Sequence, residues 1–113
     1  MTLHVEADTI QGLLAAIELF RTMDTDMPSP AIATFLQIAS SPGLSIQEIA
    51  DRLKIAQATA SRNVFYLSKT KTPTEPGLDL VESRINELNR RQKQVFLTAK
   101  GEHLAATLKR VVM

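Results

Sequence analysis

Apolar residues recur early in the chain at Ile10, Leu13, Leu14, Ile17 and Phe20. That is the i, i+3, i+4, i+7 spacing of an amphipathic helix. It predicts a helix over residues 7–21, and Leu3, Val5 and Leu19 widen its stripe. So wide a stripe is free to pack on the chain's own core or on a second subunit. A second helix starts near Ser29 and Pro30. Serine suits the N-cap, and proline suits the first helical position, where its missing N–H costs nothing. Ile32, Phe35, Leu36 and Ala39 form its inner face, and "SSPG" ends it. The next stretch, "LSIQEIADRL", carries an S-x-x-E capping box in Ser45 and Glu48. Leu44 and Ile49 are placed as a hydrophobic staple, with Ile46, Ile49, Ala50 and Leu53 facing inward.

A turn of three or four residues follows, with apolar Ile55 turned toward the core. A helix then carries Ala60, Val64 and Leu67 inward. Its opposite face shows Gln57, Ala58, Ser61 and Arg62. A capped helix, a short turn and a helix with small polar residues near its start form a helix-turn-helix pattern. Small side chains allow close approach to a major groove, and Gln, Ser and Arg supply donors and acceptors for base edges. Taken alone, the pattern also fits a plain antiparallel pair with a solvated polar face.

"TKTPTEPG" reads as a loop, and "LDLVESRI" and "KQVFLT" as strands. In the first strand Leu78, Leu80 and Glu82 alternate on one side, with Val81 on the other; in the second, Val95 and Leu97 point inward. "ESRINELNRR" between them is a long, charged hairpin tip. Thr98 caps a last helix with Leu104, Leu108 and Val111 or Val112 on one side. This order predicts a mainly helical α+β protein. Its fold is a winged helix-turn-helix with a two-stranded β-wing and a flanking N-terminal helix. One domain is expected over residues 1–113. Residues 1–27 would form the N-terminal helical part, which serves dimerisation, and 28–113 the winged helix-turn-helix.

Charge sharpens this reading. The net charge is only +1, yet residues 1–51 hold one basic and seven acidic side chains, while 52–100 hold ten basic and four acidic. A basic half of this kind suits a polyanion. Arg90 and Arg91 at the hairpin tip are placed to lie on the sugar-phosphate backbone and enter a narrow minor groove. The chain has no cysteine, so disulfides and thiolate metal sites are excluded. His4 and His103 lack metal-ligand spacing, and no nucleophile elbow or phosphate-binding glycine motif occurs. Asp24 and Asp26 read as a solvated turn, and Met23 and Met27 as apolar filler. The expectation is a non-enzyme without cofactor or metal. With no long apolar span and no signal-peptide pattern, a cytoplasmic protein without a membrane partner is expected.

The motifs resemble those of the MarR family of winged-helix regulators. Its pattern L-T-x-x-E-L-A-x-x-L is echoed by "LSIQEIADRL" at 44–53, and its T-V-S-R by "TASR" at 59–62. G-L-V-x-R, the D-R-R wing tip and V-x-L-T followed by glycine are echoed by "GLDLVESR" at 77–84 and "NRRQKQVFLTAKG" at 89–101. The resemblance covers about residues 28–108. It implies DNA-binding transcriptional regulation by a homodimer, with repression favoured over activation. Gln57, Ala58, Thr59, Ser61 and Arg62 would then lie on the recognition helix, and Arg84, Asn89, Arg90, Arg91, Lys93, Lys69 and Lys71 on the wing and backbone contacts. Ile10, Leu13, Leu14, Ile17, Phe20, Leu108 and Val112 would form the dimer contact.

The chain departs from the family pattern in four places. Ala56 replaces a serine often found at the recognition-helix cap, and Asn89 replaces the wing aspartate. The link over residues 69–76 is long and basic. About 12 residues follow Gly101, so the first helix is expected to carry more of any dimer interface. No effector is assigned. The alternative readings are a winged helix used for protein contact and a replication-associated DNA binder.

Overall fold

The computed structural model describes residues 7–112. Leu3, His4 and Val5 lie outside that range. Five helices and five short strands follow in order: α1 (Ala7–Arg21), α2 (Ser29–Ser40), β1 (Leu44–Ser45), α3 (Ile46–Leu53), α4 (Gln57–Leu67), β2 (Thr70–Thr72), β3 (Glu75–Pro76), β4 (Val81–Ile85), β5 (Lys93–Leu97) and α5 (Ala99–Val112). This is the predicted mainly helical winged helix-turn-helix. No helix among the described residues is long and apolar enough to cross a membrane.

Helix α2 begins one residue earlier than its sequence suggests. Pro28, not Ser29, is the cap, and no side chain bonds the first turn. The Pro28 carbonyl accepts from the amides of Ala31 and Ile32, so helical bonding starts there and Pro30 falls at the second position. Helix α3 starts as expected. The Ser45 hydroxyl accepts from the Glu48 amide at 3.1 Å, and the Glu48 carboxylate accepts from the Ser45 amide at 3.0 Å. The bond from the Ser45 amide first, then the Ser45 hydroxyl, holds the Glu48 carboxyl below its ordinary range. Leu44 and Ile49, the staple pair, are both buried. Lys54 ends α3 in the left-handed conformation at φ 56 and makes the sharp turn into α4.

The core joins Phe20, Phe35, Ile38, Ile49, Leu67, Leu80, Val81 and Val95, all at most 2% exposed. Phe20 meets Phe35 edge to face with centroids 5.8 Å apart. Buried Thr34 donates to the Pro30 carbonyl at 2.8 Å. Among the described residues no buried polar side-chain atom lacks a partner.

The wing is part of a three-stranded sheet in the order β1-β5-β4. Leu44 of β1 pairs with Val95, and Val81 of β4 pairs with Leu97. Strand β4 begins later than the alternation at Leu78 and Leu80 suggests. The amides of Leu78, Asp79 and Leu80 instead bond the carbonyls of Tyr66, Ser68 and Leu67. They satisfy the orphan acceptors at the end of α4. Asp79 takes the left-handed conformation at φ 57, which breaks the strand period. Leu80 and Val81 are therefore buried in succession, while Glu82 points outward. The stretch read as a loop, 69–76, folds into a second hairpin, β2 with β3.

Helix α5 is capped by Thr98. Its hydroxyl accepts from the Gly101 amide at 3.0 Å and donates to the Asp79 carbonyl at 2.7 Å. The two ends of the wing are thus tied to the start of α5.

Candidate nucleic-acid interface

Helix α4 buries Ala60, Val64 and Leu67 and turns its other side outward. Gln57, Ala58 and Arg62 are exposed, and Thr59 and Ser61 are half-buried. Ala56 at the cap makes no side-chain hydrogen bond, so the first amides of α4 have no side-chain acceptor. Arg62 donates to the Thr59 hydroxyl at 3.3 Å, which aligns the guanidinium along the helix.

Two clefts separate α4 from the wing. The first, about 460 Å³, is lined by Ser45, Ile46, Gln47, Gln57, Arg91, Gln92 and Lys93. The second, about 480 Å³, is lined in part by Ser61, Phe65, Lys69, Thr70, Ser83 and Lys93. Gln57, Ser61 and Phe65 follow one another at successive helical turns. Lys93 borders both clefts. Arg91 and Lys93 make the first cationic, whereas Asp79 and Glu82 offset Lys69 and Lys93 in the second. The structure brings Gln57, Arg91 and Lys93 together around the first cleft, and Ser61, Lys69 and Lys93 around the second.

Phe65 is the residue sequence reading missed. Its side chain is 53% exposed and sits two turns beyond Gln57. The signal was an aromatic at the polar-face position of a helix whose apolar face was already filled. The next residue, Tyr66, points away. Its hydroxyl donates to Asp24 Oδ2, in the turn between α1 and α2. Asp24 also accepts from the Asp26 amide at 3.1 Å. Asp24 is therefore an anchor for α4 rather than a solvated turn residue. The Tyr66 hydrogen bond, then the Asp26 amide, lowers the Asp24 carboxyl, while burial and Asp24 raise the Tyr66 hydroxyl.

The remaining wing residues divide. Arg90 is exposed and pairs with Glu87 at 3.3 Å. Asn89 accepts at Oδ1 from the Arg91 amide at 3.3 Å. It thus shapes the turn that presents Arg91 and does not brace a guanidinium. Arg84 lies on the outer sheet face, 4.4 Å from the Phe96 ring centroid, and pairs with Glu82 at 3.1 Å. Lys71, on the second hairpin, pairs with Glu75 at 3.7 Å and lies 5.8 Å from the Tyr66 ring centroid.

The predicted dimer residues divide as well. Ile10, Leu13, Leu14, Ile17 and Val112 are 46–57% exposed. Phe20 and Leu108 are 2% and 7% exposed, which corrects their placement in an interface. Phe20 is spent on Phe35, and the packing of α5 on α1 covers Leu108. Both belong to the wall of an apolar groove of about 660 Å³ among α1, α2 and α5, with Leu13, Ile17, Leu36 and Val112 at its edge.

No protein-family model matches the sequence, and comparison with curated proteins gives no match. Solved structures do resemble it. A MarR transcriptional regulator from Methanosarcina mazei Go1 superposes with a TM-score of 0.65 at 22% identity, over 93% of this chain and 70% of that one. MepR of S. aureus, solved as a DNA complex, gives 0.68 at 19% identity, over 92% and 75%. FabT of Streptococcus pneumoniae, in complex with DNA, gives 0.68 at 18% identity, over 87% of this chain and 63% of that one. The chain thus spans less than two thirds of FabT. With the capped helix-turn-helix, the wing and the closing helix all in place, the chain has the winged-helix fold of the MarR-type transcriptional regulators.

Proposed function

We propose that this protein is a sequence-specific binder of double-stranded DNA that regulates transcription, as a repressor and as a homodimer. The single observation that carries the reading is the cationic cleft between the start of α4 and the wing, with Gln57 on one side and Arg91 and Lys93 on the other. In this reading α4 enters the major groove, where Gln57, Ser61 and Arg62 meet base edges and Ala58 permits close approach. Phe65 supplies an apolar contact for a thymine methyl. The uncapped amides at the start of α4 donate to a backbone phosphate. Arg90 and Arg91 take the minor groove, while Lys93 and Lys69 neutralise phosphates. The fold's likeness to MepR and FabT, both solved with DNA, supports the reading.

The dimer reading rests on the exposed stripe Ile10, Leu13, Leu14 and Ile17 beside Val112. A run of large apolar side chains on one helix marks a contact surface. Two copies would read half-sites about one helical turn apart. The same stripe and the apolar groove beside it favour protein contact as the second reading.

The test is a salt titration of binding to random duplex DNA, with sequencing of what is retained. A steep salt slope and an enriched palindrome are expected. An enriched single half-site overturns the dimer, and no retention at low salt overturns the DNA reading in favour of protein contact.

A further inference from the structure

Leu88 stands at the summit of the β4–β5 hairpin with 99% of its surface exposed, more than any other large apolar side chain among the described residues. Nothing in the core calls for an apolar group there. The turn that presents it is nonetheless closely bonded. Asn86 donates its amide to the Gln92 carbonyl at 3.2 Å, and the Asn89 amide donates to the Asn86 carbonyl at 3.1 Å. The Gln92 amide donates to the Asn89 carbonyl at 3.0 Å. Asn86 Oδ1 accepts from the amide of Leu88 itself at 2.9 Å. The leucine is therefore held out from a structured tip, with half-exposed Ile85 just below it.

Its neighbours specify the partner. Arg90, Arg91 and Lys93 follow within five residues, and Glu87 is the acidic side chain of the tip. The Glu87–Arg90 pair is solvent-exposed, a kind of contact weak enough for a phosphate to displace. An exposed leucine with three cations following it in the same hairpin suits a surface that is anionic on its rails and apolar between them. Stacked base pairs bordered by two phosphate backbones have that character.

We propose that Leu88 is a minor-groove wedge. As Arg90 and Arg91 enter the minor groove and Lys93 meets the backbone, the leucine enters one base step, partly unstacks it and bends the duplex toward the major groove. Burying the side chain offsets the cost of unstacking. The wedge favours flexible pyrimidine–purine steps and so adds sequence preference where no hydrogen bond is made. This inference rests on the DNA-binding reading above.

The test uses the whole chain and the duplex it retains from the random pool. 2-Aminopurine is placed at successive positions, and end-to-end energy transfer reports the bend. Wild type is expected to bend the duplex by some tens of degrees and to brighten the probe at one step per half-site. Leu88→Ala should abolish the brightening, remove most of the bend and weaken binding about tenfold. Leu88→Met should restore all three. Because the residue is exposed, these variants should melt with wild type. A straight duplex under wild type, or an unchanged bend and fluorescence with Leu88→Ala, overturns the wedge while leaving selective binding intact. Failure of wild type to retain any duplex overturns the DNA reading and the wedge together.

Discussion

Gly101 sits one turn into α5 against the backbone of Leu80. A Cβ built on it would lie 2.1 Å from the Leu80 carbonyl oxygen, 3.1 Å from its carbon and 3.2 Å from Leu97 Cβ. That is more than 1 Å inside ordinary contact with the oxygen. The wall does not yield easily. Leu80 donates to the Leu67 carbonyl at 2.7 Å and accepts from the Thr98 amide at 3.0 Å. Alanine would gain about 1 kcal/mol of helix propensity over glycine. Against this, overpacking a fixed wall costs about 3 kcal/mol, and displacing the Thr98–Leu80 bond costs about 1 kcal/mol more. Gly101→Ala should therefore lose about 3 kcal/mol, which lowers the melting temperature by roughly 10 °C in a domain of this size. Thermal unfolding by circular dichroism, with urea unfolding to check that the m value is kept, measures it. His103→Ala, at an exposed position of the same helix, should stay within about 0.5 kcal/mol of wild type. A Gly101→Ala variant as stable as wild type would refute the claim that the Leu80 carbonyl forces glycine here.

Other outcomes follow from the same geometry. Arg62→Ala should cost about 1–3 kcal/mol at the selected site and relax its sequence preference; Arg91→Ala should instead weaken binding to all sequences and reduce the salt slope by about one, and the same salt titration separates them. Glu48 is held below its ordinary pKa of 4.5 in the fold, so its contribution to stability is complete above that value and is lost as pH falls through the lower folded one. Melting temperature against pH should therefore fall less steeply in Glu48→Gln over that acid window, and an identical slope would remove Glu48 from the balance. Ile17→Glu should leave a folded protein, because the side chain is 46% exposed, and sedimentation should find it monomeric; a dimer that persists would move the interface elsewhere. Replacing thymines of the selected site by deoxyuridine should cost wild type about 1 kcal/mol at one position per half-site and cost Phe65→Ala nothing, and equal losses in both would deny Phe65 its methyl contact.

Local chemistry was enough to place most elements of this protein. The capping box at Ser45 and Glu48, the inward period of Ala60, Val64 and Leu67, and the cap at Thr98 each depend on residues within one or two turns. Such interactions are legible in sequence because both partners lie side by side in it. The pairing of α3 with α4 and the basic wing followed from their order. Tertiary structure decided what depends on residues far apart. The alternation at Leu78 and Leu80 promised a strand, but the end of α4 needed acceptor partners and took those amides. Phe20 looked like one more residue of an interface stripe until Phe35, fifteen residues on, covered it. Asp24 looked solvated until Tyr66 reached it across 42 residues. The cleft that Gln57 and Lys93 both line exists only because the Leu44–Val95 pairing brings the wing against the start of α3. Periodicity records which side of an element is apolar, whereas burial and pairing record what arrives to cover that side, and only the fold supplies the second.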